Sequence, residues 1–230
     1  MKTFEIIRFG SNLLRKKKIP SYILDSEILL SKVLNKSREK ILTNLDRKIN
    51  HKEFLVFKDY LNRRSNNEPI AYILKEREFW SKKFYVNQNT LIPRPETELL
   101  VDKVLKIFKE KKISILDIGT GSGCIILSLL SVLKESIGTG VDISKEAIKT
   151  AKKNALRYEL SSRVKFLNKS FEDIIDKKFD LIVSNPPYIE RNEIKNLSDD
   201  IKRYEPRIAL DGGNDGLDLI KKVIYKSKYI

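Results

Sequence analysis

The sequence predicts an α/β chain in which a helical bundle precedes a mainly parallel sheet with helices on both faces. Apolar residues recur at helical spacing through the first 70 of the 230 residues, whereas short apolar strands and helices alternate from residue 94 onward. Parallel strands need long crossover connections, and a strand–helix alternation supplies them. The predicted organisation is a helical bundle over residues 1–70, a connecting segment over 71–93 and an α/β domain over 94–230.

Helical segments are expected throughout the first domain, because their apolar positions repeat every three to four residues. Pro20 and the Asn-Lys-Ser sequence at 35–37 separate these segments. In the connecting segment, aromatic residues flank the polar sequence Ser-Lys-Lys at 81–83, a pattern typical of a β-hairpin.

The α/β domain follows as short apolar strands alternating with amphipathic helices. Each strand is a run of four to six mostly apolar residues, as expected for strands buried on both faces of a sheet. The expected strands are residues 113–118, 138–143, 164–167 and 179–184, and the expected helices are 96–108, 124–133, 145–156 (starting from Ser144) and 217–229.

Charge and composition bound the functional classes. Lys and Arg number 46 against 31 Asp and Glu, a formal net charge of +15. This excess favours polyanionic partners, although the even spread of Lys also fits a general compositional bias. One Cys and one His allow neither an internal disulfide nor the usual zinc sites, so no metal is predicted. No apolar run approaches the roughly 18 residues of a membrane span, and no secretory signal is evident, so a cytoplasmic protein is expected.

A glycine-rich turn follows the first strand of the α/β domain. Asp117 stands at the end of that strand, and the turn that leads into the next helix consists of Gly119, Thr120, Gly121, Ser122 and Gly123. Glycines let a backbone approach a ligand closely, and a helix N-terminus presents free N–H groups. Because residue 124 is Cys, the dinucleotide fingerprint G-x-G-x-x-G is not matched. The alternative is a tight turn that binds nothing.

Two further strand ends carry candidate ligand-binding residues. Asp142 ends the second strand, where a carboxylate can accept hydrogen bonds from two ribose hydroxyls. Its alternative role is a helix cap, for which Ser144 is better placed. Phe171 follows the third strand and could cover the face of an adenine, although a place in the core explains it nearly as well.

The fourth strand ends in Asn185, Pro186, Pro187 and Tyr188. Two successive prolines cannot continue a sheet ladder, so the Pro186 carbonyl is left as an acceptor beside the amide oxygen of Asn185. Two fixed acceptors can hold both hydrogens of an NH₂ group, and Tyr188 can stack on the planar group that carries it. The corner therefore predicts a planar amide or an exocyclic amine as the acceptor group.

In combination, these motifs resemble the class I S-adenosylmethionine-dependent methyltransferases. Further segments narrow the resemblance: Pro-Arg-Pro-Glu-Thr-Glu at 93–98, Glu-Pro-Arg at 205–207 and Leu-Asp-Gly-Gly-Asn-Asp-Gly-Leu at 210–217. With them the whole chain is similar to the glutamine N5-methyltransferases that modify peptide chain release factors. The resemblance implies a class I, Rossmann-like methyltransferase sheet over residues 94–230, S-adenosylmethionine as cofactor, and methylation of the glutamine in the Gly-Gly-Gln loop of release factors.

The resemblance also implies a role for each candidate residue. Cofactor binding falls to Asp117, Gly119, Thr120, Gly121, Ser122, Gly123, Asp142 (ribose), Phe171 (adenine) and Asn185. Substrate binding falls to Asn185, Pro186, Pro187 and Tyr188, of which Asn185, Pro186 and Tyr188 are expected to be catalytic. Ser170 stands where members often carry an Asp that bonds the adenine amino group, so adenine recognition is expected to differ there. The bundle at 1–70 would help hold the release factor.

Relatives of the family continue through further strands, whereas residues 189–230 are expected to form loop and one helix. We therefore expect a truncated chain with a sheet that is incomplete at its carboxyl end, and an exposed edge at the fourth strand. Three alternative functions stay open. They are methylation of a glutamine in a ribosomal protein, methylation of an exocyclic amine in nucleic acid, and a truncated product that binds a partner or cofactor without turnover.

Overall fold

The structure, a computed structural model, describes residues 1–175 and 178–230 and divides into two units, Met1–Leu74 and Lys75–Ile230. Within these residues the first unit consists of helices. They are α1 (Thr3–Lys16), α2 (Tyr22–Leu34), α3 (Arg38–Leu42), α4 (His51–Ser65) and α5 (Ile70–Leu74). Helix α5 extends this unit past residue 70, because Ile73 is buried in its core.

The core of the first unit lies where α1, α2 and α4 meet. Ile6 and Leu14 of α1 are buried together with Leu29 of α2 and Phe57 of α4. These side chains are the apolar stripes that the helical periodicity predicts. None of the helices in the described ranges 1–175 and 178–230 combines the length and apolar character needed to span a bilayer.

The second unit begins with the expected hairpin. Strands β1 (Glu76–Phe79) and β2 (Lys82–Tyr85) pair antiparallel, with Phe79 opposite Lys82. The two turn residues, Trp80 and Ser81, both adopt left-handed backbone conformations, with φ of 52° and 53°. Positive φ at both central residues is characteristic of a two-residue turn that matches the twist of the paired strands.

Among the described residues, the central sheet has four parallel strands in the order β5-β4-β3-β6. The strands are β3 (Ser114–Ile118), β4 (Ile137–Asp142), β5 (Val164–Asn168) and β6 (Leu181–Ser184), and the helices of this unit are α6 (Glu98–Phe108), α7 (Cys124–Val132), α8 (Lys145–Arg157), α9 (Asp199–Tyr204) and α10 (Asp218–Lys226). The predicted parallel sheet is thus confirmed. Strand and helix ends lie within two residues of the predicted ones, except that α10 ends three residues earlier than predicted.

Helices cover both faces of this sheet. Successive side chains of a strand point to opposite faces, so neighbouring residues of one strand lie in different cores. Ile115 of β3 packs in a core with α6, α7, α8 and the hairpin. The next residue, Leu116, lies in a second core against which Leu219 and Val223 of α10 pack. At the edge of the sheet, Ile182 of β6 is half-buried, and β6 pairs with β3 on one side.

The expectation of loop and one helix over residues 189–230 was wrong in one respect, because α9 (Asp199–Tyr204) precedes α10. This helix is too short to show a helical period in the sequence. Its charges suit the helix dipole, since Asp199 and Asp200 lie in its first turn and Lys202 and Arg203 in its last.

Asn154 of α8 joins the hairpin to the glycine-rich turn. Its Oδ1 accepts a hydrogen bond from Tyr85 N at 2.8 Å, and its Nδ2 donates to Tyr85 O at 3.0 Å and to Ser122 O at 2.8 Å. We expect Asn154→Ala to lower the free energy of unfolding by about 2–4 kcal/mol, because buried backbone groups lose their partners. Urea unfolding measures this cost. Asn196→Ala, at an exposed residue, is the control, and an equal effect of the two substitutions would contradict the expectation.

Candidate functional site

A cavity of about 400 Å³ opens at the carboxyl ends of the parallel strands. Ligands of open α/β sheets bind at this edge. The strand-end segments that line the cavity are residues 118–122, 141–144, 169–172 and 184–187. Its remaining walls include Leu91, Pro93, Arg94 and Thr97 on one segment and Pro206, Ile208 and Ala209 on another. The four predicted strand-end motifs therefore border one space.

The glycine-rich turn after β3 has an open face toward this cavity. Its start is fixed to β4, because Gly119 N and Thr120 N both donate to Val141 O, at 2.9 and 3.0 Å. Gly119, Gly121 and Gly123 adopt left-handed conformations, with φ of 70°, 54° and 78°. A Cβ on Gly119 would meet no heavy atom within 4 Å. The turn thus leaves room beside its backbone for a ligand.

Asp117 lies under the glycine-rich turn and is fully buried. Its Oδ2 accepts a hydrogen bond from Thr120 Oγ1 at 2.7 Å, and its Oδ1 has no hydrogen-bond partner among the described residues. Burial raises the pKa of Asp117 to about 7, and the nearby carboxyl of Asp142 adds to this rise. The cavity wall at this point is formed by Ile118. Asp117 is therefore placed to support the turn from below.

The raised pKa of Asp117 predicts a pH dependence of stability. The folded state binds the proton of the Asp117 carboxyl more tightly than the unfolded state does. The stabilisation of the fold by this protonated carboxyl is therefore complete below pH 3.8, the ordinary pKa, and is lost as the pH rises through about 7. Relative to Asp117→Asn, the wild type should lose about 4 kcal/mol of unfolding free energy across this window. Urea unfolding at several pH values measures the difference.

Asp180 provides a control of opposite sign for this pH dependence. Hydrogen bonds from the backbone and side chain of Ser114 lower the pKa of Asp180, so its contribution is lost as the pH falls. The Asp180→Asn profile should therefore differ from the wild type at acidic pH. Parallel profiles for the wild type and Asp117→Asn would contradict the burial of an ionisable Asp117.

Asp142 links the end of β4 to the glycine-rich turn. Its Oδ2 accepts from Gly121 N and its Oδ1 from Ser144 N, both at 2.9 Å. Burial raises its pKa, and these two backbone hydrogen bonds oppose the rise. Ser144 Oγ accepts from Ala147 N at 3.2 Å, so Ser144 caps α8, as the sequence suggested. Asp142 lines the cavity, and each of its carboxylate oxygens can accept a further hydrogen bond there.

Phe171 serves both the core and the cavity wall. It is buried against Leu116, Ile118 and Val141, and it also lines the cavity. The preceding residue, Ser170, lines the cavity as well, and its Oγ accepts a hydrogen bond from Glu172 N at 3.2 Å. Ser170 thereby caps the 3₁₀ turn Phe171–Asp173 that carries the aromatic ring.

The corner after β6 brings Asn185, Pro186 and Pro187 to the cavity. Ser184 Oγ donates to Ile118 O at 2.8 Å and fixes the end of β6 to β3. Asn185 Nδ2 donates to Thr97 Oγ1 at 3.4 Å, which leaves Asn185 Oδ1 as the acceptor of this side chain. Tyr188 differs from its neighbours, because it is 61% exposed and is not among the residues that line the cavity.

Residues 210–217 support the backbone that follows Tyr188. Ile189 N donates to Leu210 O at 3.1 Å, and Gly212 N donates back to Ile189 O at 2.8 Å. Arg191 N donates to Gly213 O at 2.9 Å. The glycine-rich motif at 210–217 is therefore a packing partner of the corner rather than a second ligand loop.

Sequence reasoning missed three side chains that shape the cavity: Arg94, Thr97 and Glu205. Arg94 Nη2 bonds Glu205 Oε1 at 2.6 Å, and Glu205 Oε2 accepts from Ile92 N at 3.2 Å. Burial raises the pKa of Glu205, and the charge of Arg94 opposes this rise. The segments at 93–98 and 205–207 were noted for their resemblance, but nothing in one sequence indicates that they pair.

The arrangement offers hydrogen-bond acceptors and a glycine-rich backbone turn with open space beside Gly119. In the described part of the chain, no group of three or more His, Cys, Asp or Glu side chains is placed to hold a metal ion. The chemistry available to the residues present is the binding and orientation of a ligand between the glycine-rich turn and the Asn185 corner.

Family models match both units. Residues 5–74 match the PrmC N-terminal domain, and residues 95–204 match the methyltransferase small domain. The solved catalytic domain of hMettl16 in complex with a MAT2A 3'UTR hairpin has a TM-score of 0.54 and 19% sequence identity, and the match covers 74% of this chain and 63% of that one. At this identity the likeness indicates a shared fold.

Similar curated proteins carry the name release factor glutamine methyltransferase. One from Bradyrhizobium diazoefficiens is 40% identical over 215 residues, which cover 92% of this chain and 72% of that protein. One from Clostridium acetobutylicum is 39% identical over 237 residues, with coverage of 100% and 82%. One from Caulobacter vibrioides is 40% identical over 196 residues, with coverage of 84% and 68%.

Proposed function

The chain belongs to the release factor glutamine methyltransferase family, and we propose that it transfers a methyl group from S-adenosylmethionine to a glutamine side chain. The acceptor is the amide nitrogen N5 of the glutamine in the Gly-Gly-Gln loop of peptide chain release factors. One observation carries the proposal: the corner formed by Asn185 and Pro186 lines the same cavity as the open glycine-rich turn.

The cavity residues suit S-adenosylmethionine. The turn at 119–123 would hold the methionine part, because Gly119 leaves open space beside its backbone. Asp142 would accept hydrogen bonds from the ribose hydroxyls, and Phe171 would lie by the adenine. Asp117 would hold the turn in shape through Thr120. When bound, S-adenosylmethionine supplies a methyl group that its positive sulfonium makes electrophilic.

Asn185 and Pro186 would activate and orient the acceptor amide. An amide nitrogen is a poor nucleophile, because its lone pair is delocalised into the carbonyl. Hydrogen bonds from its two N–H groups to Asn185 Oδ1 and the Pro186 carbonyl would return electron density to nitrogen and fix its direction. Orientation of this kind can supply about 7–11 kcal/mol of the barrier. The acceptor nitrogen would take the methyl group as the sulfur–methyl bond of the cofactor breaks, which leaves a neutral thioether. The nitrogen would then release one of its protons to solvent, so no dedicated base is needed.

Pro187 and Tyr188 would complete the substrate site. Pro187 lines the cavity beside the acceptor corner. The Tyr188 ring, which is exposed in the structure, would pack on the amide plane once the glutamine loop enters. A largely exposed aromatic ring that directly follows a lining residue is available for such a contact.

We further infer that the helical unit helps hold the release factor and that the protein acts in the cytoplasm, where release factors work. Large apolar side chains are exposed on this unit, among them Phe4, Phe9 and Leu55. Exposed apolar residues of this kind suit a protein partner. We therefore propose for this unit the role that the sequence suggested, which is to help hold the release factor.

Labelled S-adenosylmethionine tests the function. The full chain is incubated with a release factor, with the same factor carrying Ala in place of the loop glutamine, with ribosomal proteins and with nucleic acid. Label in the first arm alone is expected, and mass spectrometry should place one methyl group on the loop glutamine. The net charge of +15 favours the nucleic-acid arm as the second candidate. Cofactor binding by calorimetry without label in any arm would favour a protein that binds but does not turn over.

A further inference from the structure

The segment at 93–98 lines the same cavity as the corner at 185–187, yet the proposed methyl transfer gives this segment no role. Thr97 makes a polar contact with this corner, because Asn185 Nδ2 donates to Thr97 Oγ1 at 3.4 Å. A carboxamide has two chemically opposite ends, and only its oxygen can accept from a substrate NH₂ group. A partner for Nδ2 on the wall of the cavity therefore keeps Asn185 Oδ1 free for the substrate.

Thr97 is itself held in place by its neighbours in the chain. Pro93 and Pro95 fix their own backbone φ angles, and Thr97 N donates to Arg94 O at 3.1 Å. The following residue, Glu98, accepts a hydrogen bond from Trp80 N at 3.1 Å, which anchors this segment to the hairpin turn. The hydroxyl that meets Asn185 thus sits on a stiff and doubly anchored stretch of backbone.

An ion pair secures the same segment from the other side. The Glu205 side chain is 1% exposed, and its two oxygens hold Arg94 Nη2 at 2.6 Å and Ile92 N at 3.2 Å. Removing one partner of such a buried pair leaves the other group without compensation, so the contact is hard to give up. Because Pro206 lines the cavity, Glu205 joins two of its walls.

We propose that Thr97 is a positioning residue that fixes the carboxamide of Asn185, and that the ion pair between Arg94 and Glu205 holds Thr97 in that place. That the fixed carboxamide accepts a hydrogen bond from the substrate amide rests on the proposed function. The contact between Thr97 and Asn185 does not depend on it, and this difference allows the two to be tested separately.

The first test observes Asn185 directly, without turnover. Nitrogen NMR of the full chain detects its side-chain NH₂, which is assigned by its loss in Asn185→Asp. Thr97→Val keeps the side-chain shape but removes the hydroxyl, so the NH₂ resonances should shift and exchange with solvent about fivefold faster. Thr97→Ser should restore both. Resonances that do not change in Thr97→Val would overturn the proposal.

Thr150→Val is the matched control for both tests. Thr150 of α8 also accepts a hydrogen bond from an asparagine amide, that of Asn87 at 3.2 Å, and it lies outside the cavity lining. The same chemical change there should leave the Asn185 resonances in place. Glu76→Gln serves likewise for the ion pair, since Glu76 of the hairpin pairs with Arg157 of α8 at 2.9 Å.

The second test separates kcat from KM in release factor methylation. Thr97→Val should lower kcat about tenfold or more, with the KM for S-adenosylmethionine within about twofold. The reason is that Asn185 is one of two hydrogen-bond acceptors for the substrate amide but only one of several residues expected to bind the cofactor. Thr97→Ser should recover most of kcat, and Glu205→Gln should lower kcat where Glu76→Gln does not. An active wild type with an unchanged kcat in Thr97→Val would overturn the proposal. If the wild type methylates no release factor, the proposed function fails, whereas a resonance shift in Thr97→Val still supports the positioning of Asn185.

Discussion

Asn185→Ala is expected to slow methyl transfer to the release factor by about 10²–10³-fold. The substitution removes one of the two acceptors that orient the substrate amide, and the Pro186 carbonyl alone cannot fix the direction of the nitrogen lone pair. Its effect on cofactor affinity should be much smaller, because the glycine-rich turn, Asp142 and Phe171 all remain. The loss should therefore appear in the chemical step.

Single-turnover rates at saturating cofactor and release factor measure this loss, and calorimetry with the product cofactor measures binding. Asn185→Asp keeps an oxygen toward the cavity and should retain more activity than Asn185→Ala. Asn196→Ala removes an amide from an exposed residue and is the activity control. A rate for Asn185→Ala within a few fold of the wild type would refute the acceptor role of the corner.

The sheet could be predicted because its strands are short apolar runs that end at polar or glycine residues. Asp117 and Asp142 mark two such ends, and the parallel arrangement brings them to one edge whatever the details of packing. The short helix α9 could not be predicted in this way, because its six residues include no buried side chain and its visible support is the charge at its two ends. The hairpin was recognisable from aromatic residues around the polar sequence at 81–83. The turn itself lies at Trp80 and Ser81, and Lys82 and Lys83 belong to β2, a placement that the residue pattern did not show.

Only those parts of the site that lie within one short stretch of sequence could be predicted. Residues 119–122 of the glycine-rich turn and the corner at 185–187 line the cavity, since each segment follows directly from a strand, whereas Gly123 is buried and is not among the lining residues. Thr97 and Glu205 depend on contacts across 88 and 111 residues, to Asn185 and Arg94, which no local pattern encodes. Membership of a cavity motif also does not decide whether a side chain reaches the cavity. Asp117 lies under the turn and Tyr188 outside the cavity, although both belong to the motifs that line it.

Gly216→Ala is expected to lower the free energy of unfolding by about 3 kcal/mol or more. Gly216 adopts a left-handed conformation with φ of 73°, and a Cβ there would stand 2.5 Å from the carbonyl oxygen of Tyr188. That neighbour is backbone, so it cannot rotate away as a side chain can. The strain would be relieved by moving Tyr188, which lies directly after the acceptor corner. Methyl transfer should therefore fall even at temperatures where the variant stays folded.

Gly119→Ala separates the two causes of this destabilisation. Gly119 has nearly the same φ, 70°, but its Cβ would meet no heavy atom within 4 Å. The left-handed conformation alone should cost about 1–2 kcal/mol, so urea unfolding should find Gly216→Ala clearly the less stable variant. Equal unfolding free energies for the two variants would mean that the 210–217 loop gives way easily. The motif would then have no part in holding the corner, because a loop that yields to one methyl group cannot fix the backbone beside Asn185.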